Sequence, residues 1–348
     1  MNHHTSRRRF IKNSSTAALT LAALPAFSYD LMRVESSSMG VAAASYHIRR
    51  FPDPIEMMEH CHSLGFGGVQ PGIGAWENDY IKKVRKKTEQ LNMFLEGQIR
   101  LPKDESEFDI FEKVIISAKE SGAVICRTNC GNRRYEDFDS LGKFKEFKSQ
   151  SIRSIQLAEP ILKKHKVKLA IENHKDWRTE DLLEIMKLMQ SEWVGITLDT
   201  GNSISLLEDP MYVVESLAPY AFSVHLKDMA VDEYENGFLL SEVPLGEGML
   251  DMNKMITTIK KHNPDIKFNL EMITRNPLEI PCLMPKYWAT FGQISGSVLA
   301  SFLMMIRNQK TKTSLPYISK KSKEEQLALE IENNSLCLQY GKQKFNFE

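Results

Sequence analysis

The sequence predicts a closed (β/α)8 barrel with a C-terminal helical extension. Three observations predict it: eight short strand-like runs alternate with helical stretches; no glycine-rich phosphate fingerprint follows the first strand; and the last four runs each end in a residue able to bind a metal. Those runs are VKLAIE to Glu172, VGITLD to Asp199, FSVH to His225 and IKFNLE to Glu271. Side chains of a strand alternate between its faces. Val167, Leu169 and Ile171, Ile196 and Leu198, Phe222 and Val224, and Ile266, Phe268 and Leu270 therefore share the helix-facing side. The four terminal residues share the other, with Lys168, Ala170, Thr197, Ser223 and Asn269.

The 348 residues are 42% hydrophobic, ordinary for a globular core, with Lys+Arg equal to Asp+Glu at 45 each. That balance provides no net field for nucleic acid or an anionic membrane. Ser6-Arg7-Arg8-Arg9-Phe10-Ile11-Lys12, followed by the apolar run Ala17 to Ala26, resembles a twin-arginine signal, with residues 1–35 as signal and linker. The run is shorter than the roughly 20 residues needed to span a bilayer. The expectation is export to a periplasm-like space, with no integral membrane span. Cys61, Cys126, Cys130, Cys282 and Cys337 show neither metal-site spacing nor a disulfide framework, and read as buried thiols.

In chain order, strands are expected at Val41 to Tyr46, Gly68 to Gln70, Phe94 to Gln98 and Val124 to Thr128, before the four metal-ligand runs. Helices are expected at Pro54 to Leu64, Glu77 to Leu91, Ser106 to Ser121, Lys143 to His165, Thr179 to Met189, Pro210 to Leu217 and Met252 to His262. The barrel covers residues 41–275. Asp228 to Asp251 is long for a connecting loop, and Asn236-Gly237 signals a hairpin over the mouth. Leu245-Gly246-Glu247-Gly248 is a backbone able to approach a ligand or simply to turn. Residues 276–348 form an extension that wraps the barrel or a partner subunit, compatible with a homo-oligomer. It holds an apolar helix near Gly296 to Arg307 and a last helix opened by the capping box Ser322 to Glu325.

Glu172, Asp199, His225 and Glu271 lie 27, 26 and 46 residues apart, one strand–helix step each, the last stretched by the hairpin. In a barrel these strand ends converge at one mouth. Oxygen and imidazole ligands suit one divalent ion: Mn²⁺, Co²⁺, Mg²⁺ or Zn²⁺. Capping of the following helices, or pairing with lysines, is the plainer alternative for the acids. A metal chelating two neighbouring sugar oxygens, flanked by carboxylates, suits proton removal α to a carbonyl. Glu172 and Glu271 are candidate base and acid in either order. Lys227 could stabilise oxyanion charge or form a salt bridge. His174, Lys175, Trp177, Arg275, His47 and Glu96 are the candidate substrate contacts. A structural role for His174 and core packing for Trp177 are the alternatives. Arg133, Arg134 and Arg275 leave room for a carboxylate or phosphate.

Ile171-Glu172-Asn173-His174, Leu198-Asp199-Thr200-Gly201-Asn202, His225-Leu226-Lys227-Asp228 and Leu245-Gly246-Glu247-Gly248 resemble motifs of the xylose isomerase-like TIM-barrel superfamily. This superfamily includes ketose 3-epimerases, inosose dehydratase and an apurinic endonuclease. The resemblance implies that Glu172, Asp199, His225 and Glu271 bind the metal and that the two glutamates form the acid/base pair. Asn202 departs from the histidine of many relatives, which argues, with the charge balance, against a trinuclear DNA-repair site. The implied activity is isomerisation or epimerisation of an unphosphorylated sugar or keto-sugar through an enediolate. The alternatives are a lyase or hydratase acting on 3-keto-glycosides, and a sugar-binding protein without turnover.

Overall fold

The computed structural model describes residues 39–311 and 314–347; the twin-arginine pattern lies outside them. The strands of the principal sheet are β1 (Met39–Ala42), β2 (Gly68–Gln70), β3 (Phe94–Leu95), β4 (Gly97–Gln98), β5 (Ile125–Thr128), β6 (Lys168–Glu172), β7 (Val194–Asp199), β8 (Ala221–Leu226) and β11 (Lys267–Leu270). All pair in parallel, in the order β3-β2-β1-β11-β8-β7-β6-β5-β4. The edge strands β3 and β4 are consecutive pieces of one segment, so the sheet curls into a nearly closed barrel. The sequence reads that segment as one strand, whereas the chain breaks it at Glu96, whose carboxylate is buried inside the barrel.

The helices are α1 (Pro54–Leu64), α2 (Asn78–Leu91), α3 (Phe108–Ser121), α4 (Arg134–Asp137), α5 (Leu141–His165), α6 (Thr179–Met189), α7 (Pro210–Leu217), α8 (Met252–His262), α9 (Gly296–Gln309) and α10 (Lys323–Phe345). Their ends follow local chemistry. Asp53, Ser140, Asp209 and Asp251 cap α1, α5, α7 and α8, accepting a backbone N–H in each case. Gly65 and Gly122 close α1 and α3 in the left-handed conformation. The apolar strand faces meet these helices in one core, where Leu169, Ile171, Ile196, Leu198, Val224, Phe268 and Leu270 pack with Ile115, Ile155, Leu182 and Ile259. Burial of this kind stabilises a fold by about 25 cal/mol per Å² of apolar surface.

The first strand ends earlier than its apolar pattern suggests, at Ala42, and a 3-10 turn occupies Ala43–Tyr46. Ser45 accounts for the departure: its Oγ donates to Leu270 O and accepts from Met272 N, tying the turn to the end of β11. The insertion after β8 forms the hairpin β9 (Asp228–Tyr234) and β10 (Gly237–Val243), and β12 (Leu278–Ile280) adds a third antiparallel strand. At the turn, a Cβ on Gly237 would lie 2.0 Å from Ile280 O, so only glycine fits. Phe238, Leu240 and Ile280 of this small sheet pack against Phe302 and Ile306 of α9.

Ser322 and Glu325 form the expected reciprocal cap at the start of α10. Glu330 accepts from the backbone N–H groups of Ile48 and Arg49, Asn334 donates to Ser45 O, and the Phe347 ring lies tilted against Phe268 at 5.2 Å. The last helix thereby holds the β1 turn in place. Among the described residues no helix is long and apolar enough to cross a membrane.

Candidate active site

Strand ends bring Glu172, Asp199, His225 and Glu271 together. Each offers one ligand atom, and these atoms all lie within 4.8 Å of one another. All four side chains are buried. His225 Nδ1 lies 3.6 Å from Glu172 Oε1, 4.0 Å from Asp199 Oδ2 and 3.4 Å from Glu271 Oε1. Its Nε2 is 2.7 Å from Gln70 Oε1, which directs Nδ1 inward.

Each carboxylate also meets a cation. Arg127 donates from Nε and Nη2 to Glu172 Oε2. Lys227 Nζ pairs with Glu271 Oε2 and lies 3.0 Å from Asp199 Oδ2. Asn202 Nδ2 donates to Glu172 Oε1 at 2.9 Å, and its Oδ1 accepts from Lys175 Nζ and, at 3.2 Å, from Lys227 Nζ. From the hairpin, Glu242 meets Arg275 through the guanidinium's Nε and Nη2.

Charge follows geometry. Burial opposes ionisation of Glu172, but Arg127 and His225 outweigh it and hold its pKa low. The same balance, through Lys227 and His225, lowers Glu271. Burial pushes Asp199 up against the pull of Lys227. His225 loses favour for its charge by burial, yet Glu271 and Glu172 raise it to about 9. The pocket thus retains a proton where a cation is wanted.

A divalent ion fits the same place. His225 Nδ1 is buried without a hydrogen-bond partner, and Asp199 Oδ2 is buried with only the Lys227 ammonium at 3.0 Å; both belong to a hard oxygen and nitrogen set. Ligand atoms spanning 4.8 Å match an ion that holds each at about 2.0–2.6 Å.

The other expected contacts fall into two groups. Lys175 and Arg275 border the cluster through Asn202 and Glu242. His174, half-buried, meets Asn132 O through Nδ1 at 3.1 Å, and burial followed by the Lys175 charge lowers its pKa to about 3. His47 stays exposed beyond the β1 turn, its pKa lowered by partial burial and then by the charge of Arg275. Trp177, expected as a wall for a sugar ring, is instead wholly buried in the helix-facing core, its ring 5.1 Å from that of Phe147. Glu96, expected against substrate, lies one layer beneath the ligands: its Oε2 accepts from Gln70 Nε2, Ser223 Oγ and Asn269 Nδ2.

The Gly246 loop also differs from a ligand cradle. Its Gly246, Gly248 and Leu250 N–H groups bind the Asp228 carboxylate. Arg134 is structural, bonded to Asp181 and Thr290 and lying over the Phe144 ring. Arg127, Gln70 and Glu242 are the site residues that strand periodicity did not single out. An arginine at an inward position of a short strand was the available signal for the first.

The xylose isomerase-like TIM barrel family model matches residues 58–287. This chain belongs to that family. Over 124 residues it is 29% identical to 3-oxo-isoapionate decarboxylase of Pectobacterium atrosepticum, covering 35% of this chain and 45% of that protein, less than half the relative's length. The D-psicose 3-epimerase of Clostridium cellulolyticum, solved with D-tagatose, shares the fold at a TM-score of 0.59 and 11% identity, covering 88% of this chain and 98% of that one. A xylose isomerase-like TIM barrel protein of Mycobacterium smegmatis, solved with magnesium, superimposes at a TM-score of 0.54 and 15% identity, over 78% of this chain and 99% of that one. The relatives named for an activity are a decarboxylase and a sugar epimerase, both enzymes acting on small molecules.

Proposed function

We propose that this protein is a divalent-metal-dependent enzyme that transfers a proton α to the carbonyl of an unphosphorylated sugar or keto-sugar, with isomerisation or epimerisation as the outcome. The observation that carries the reading is the placement of Glu172 and Glu271, from different strands, at 3.6 and 3.4 Å from His225 Nδ1. A divalent ion held by Glu172, Asp199, His225 and Glu271 would polarise two adjacent substrate oxygens.

The two glutamates differ in what stands behind them. Arg127 grips Glu172 through two N–H groups, whereas Lys227, its ammonium held charged against burial by Asp199 and Glu271, stands beside Glu271 as a fixed positive charge next to the reacting centre. Glu271 therefore takes the α-proton, the C–H electron pair enters the carbonyl to give an enediolate, and Lys227 stabilises the developing charge. Return of the proton to the opposite face gives an epimer; its return to the neighbouring carbon, with the hydroxyl proton moving to the former carbonyl oxygen, gives an isomer. Glu172, oriented by Arg127 and Asn202, holds the opposite side and can relay a proton there.

A lyase outcome is the second reading, supported by the stretch shared with the decarboxylase. There the C–C bond to a carboxylate breaks, CO₂ leaves, and the bonding pair forms the same enediolate, which is then protonated. The twin-arginine pattern supports action outside the cytoplasm, where unphosphorylated sugars are the available class.

Deuterium uptake from solvent at the α-carbon of keto-sugars and their acids, with Mn²⁺, Co²⁺, Mg²⁺ or Zn²⁺ present, tests the reading. Glu271→Gln should abolish uptake while metal still binds. Uptake surviving in that variant removes Glu271 from the mechanism. No uptake with any metal and any of these sugars defeats the proposal.

A further inference from the structure

Four carboxylates and four basic side chains meet at the mouth. Arg127 pairs with Glu172, Lys227 with Glu271 and Asp199, and Arg275 with Glu242. Lys175 is left over. It is 3% exposed, and among the described residues no carboxylate lies within ion-pair distance of its Nζ. Among the described residues, the one hydrogen bond of its Nζ goes to the neutral Oδ1 of Asn202, which also takes Lys227.

A buried ammonium without a counter-ion is costly, and such groups persist where a ligand supplies the charge. The surroundings make the case sharper. After burial, the charges that most disfavour the Lys175 ammonium are those of Lys227 and Arg275. Glu172, Asp199, Glu271 and Glu242 are offset by Arg127, Lys227, Arg275 and Lys175 before His225 is counted. A divalent ion beside a neutral His225 would leave the pocket positive.

We infer that Lys175, backed by Lys227 across Asn202, is an anion subsite, and that the substrate is a keto-sugar acid whose carboxylate lies close to its chelating oxygens. The inference rests on the proton-transfer reading of the same site and names its substrate class. Proximity follows from connectivity: only the Asn202 amide separates the Lys175 ammonium from the Glu172 carboxylate, so the anion belongs near the reacting carbons. Lys175 is the one ammonium here without a carboxylate partner, and a carboxylate is the smallest anionic group that supplies the missing ion pair.

Calorimetric titration of the Mg²⁺-loaded full chain tests this by affinity rather than by activity. 2-Keto-D-gluconate and D-fructose differ at C1, a carboxylate in one and a hydroxymethyl in the other. The acid should bind about tenfold tighter or better, as expected of a charge-assisted hydrogen bond. Lys175→Met should bring the ratio close to one, and Lys175→Arg should retain most of it. Equal binding of the two sugars by the wild-type protein overturns the inference, as does Lys175→Met weakening both alike. An equal advantage for D-glucuronate over D-glucose, where the carboxylate is remote from the carbonyl, also overturns it. Loss of deuterium exchange with the acid preference intact would instead defeat the proton-transfer reading alone.

Discussion

Gln70 Oε1 sits 2.7 Å from His225 Nε2, so the other imidazole nitrogen, Nδ1, faces three carboxylates. Gln70 is itself held by Glu96 through its Nε2 at 3.1 Å. The ring orientation is therefore set by a chain that begins one layer below the site. Partners of this kind change metal affinity by about 10–100-fold when removed. Gln70→Ala should weaken Mn²⁺ or Zn²⁺ binding by that factor, read by competition with a chelator, while the circular dichroism spectrum stays unchanged.

Arg127 and Glu172 form the second relationship that decides the site. Both side chains are buried, at 8% and 0% exposure, so removing the guanidinium strands a carboxylate in a medium that cannot solvate it. Breaking a buried pair costs about 3–5 kcal/mol. Arg127→Met should lose that much stability in chelator, measured by urea denaturation. Saturating metal should restore part of it, because the ion provides the missing charge.

The four ligands were legible because strand parity and one strand–helix step per ligand are both properties of sequence. Barrel closure then required Glu172, Asp199, His225 and Glu271 to converge. Arg127 obeys the same parity, but an isolated inward arginine reads as readily as a salt bridge inside the barrel. Gln70 ends a strand of only three residues, too short for periodicity to speak. Glu242 depends on where a hairpin folds back, which no local pattern encodes. Trp177 shows the opposite limit: its composition suits a sugar platform or a core equally, and only the positions of Phe144 and Phe147 on α5 decide for the core.

Arg275 and Glu242 tie the hairpin to the barrel mouth. Glu242 is 2% exposed, and although burial opposes its charge, Arg275 and then Lys227 and Lys175 lower its pKa. Arg275→Met should cost about 2 kcal/mol, below the range for a fully buried pair, because the guanidinium is 22% exposed and the two lysines remain. The double variant Arg275→Met, Glu242→Gln should recover more than half of the loss, since replacing both partners removes the stranded charge. Urea denaturation of the single and double variants measures the difference.

Lys175 predicts a pH dependence with a definite sign. Burial, then the charges of Lys227 and Arg275, lower its pKa to about 8 against the weaker favourable pull of Glu242 and Asp199. The folded protein therefore binds fewer protons here than the unfolded chain between about 8 and the ordinary lysine value. Stability from this group rises with pH across that window, as the cost of the buried charge is relieved. Anion binding runs the other way, because a bound carboxylate needs the ammonium. Affinity for 2-keto-D-gluconate should hold below pH 8 and fall by up to about tenfold per pH unit above it, while the affinity of D-fructose changes less. Lys175→Arg should remove the decline, because the guanidinium keeps its proton throughout. Titrations between pH 7 and 10 decide the point, and a decline that persists in Lys175→Arg assigns it to another group.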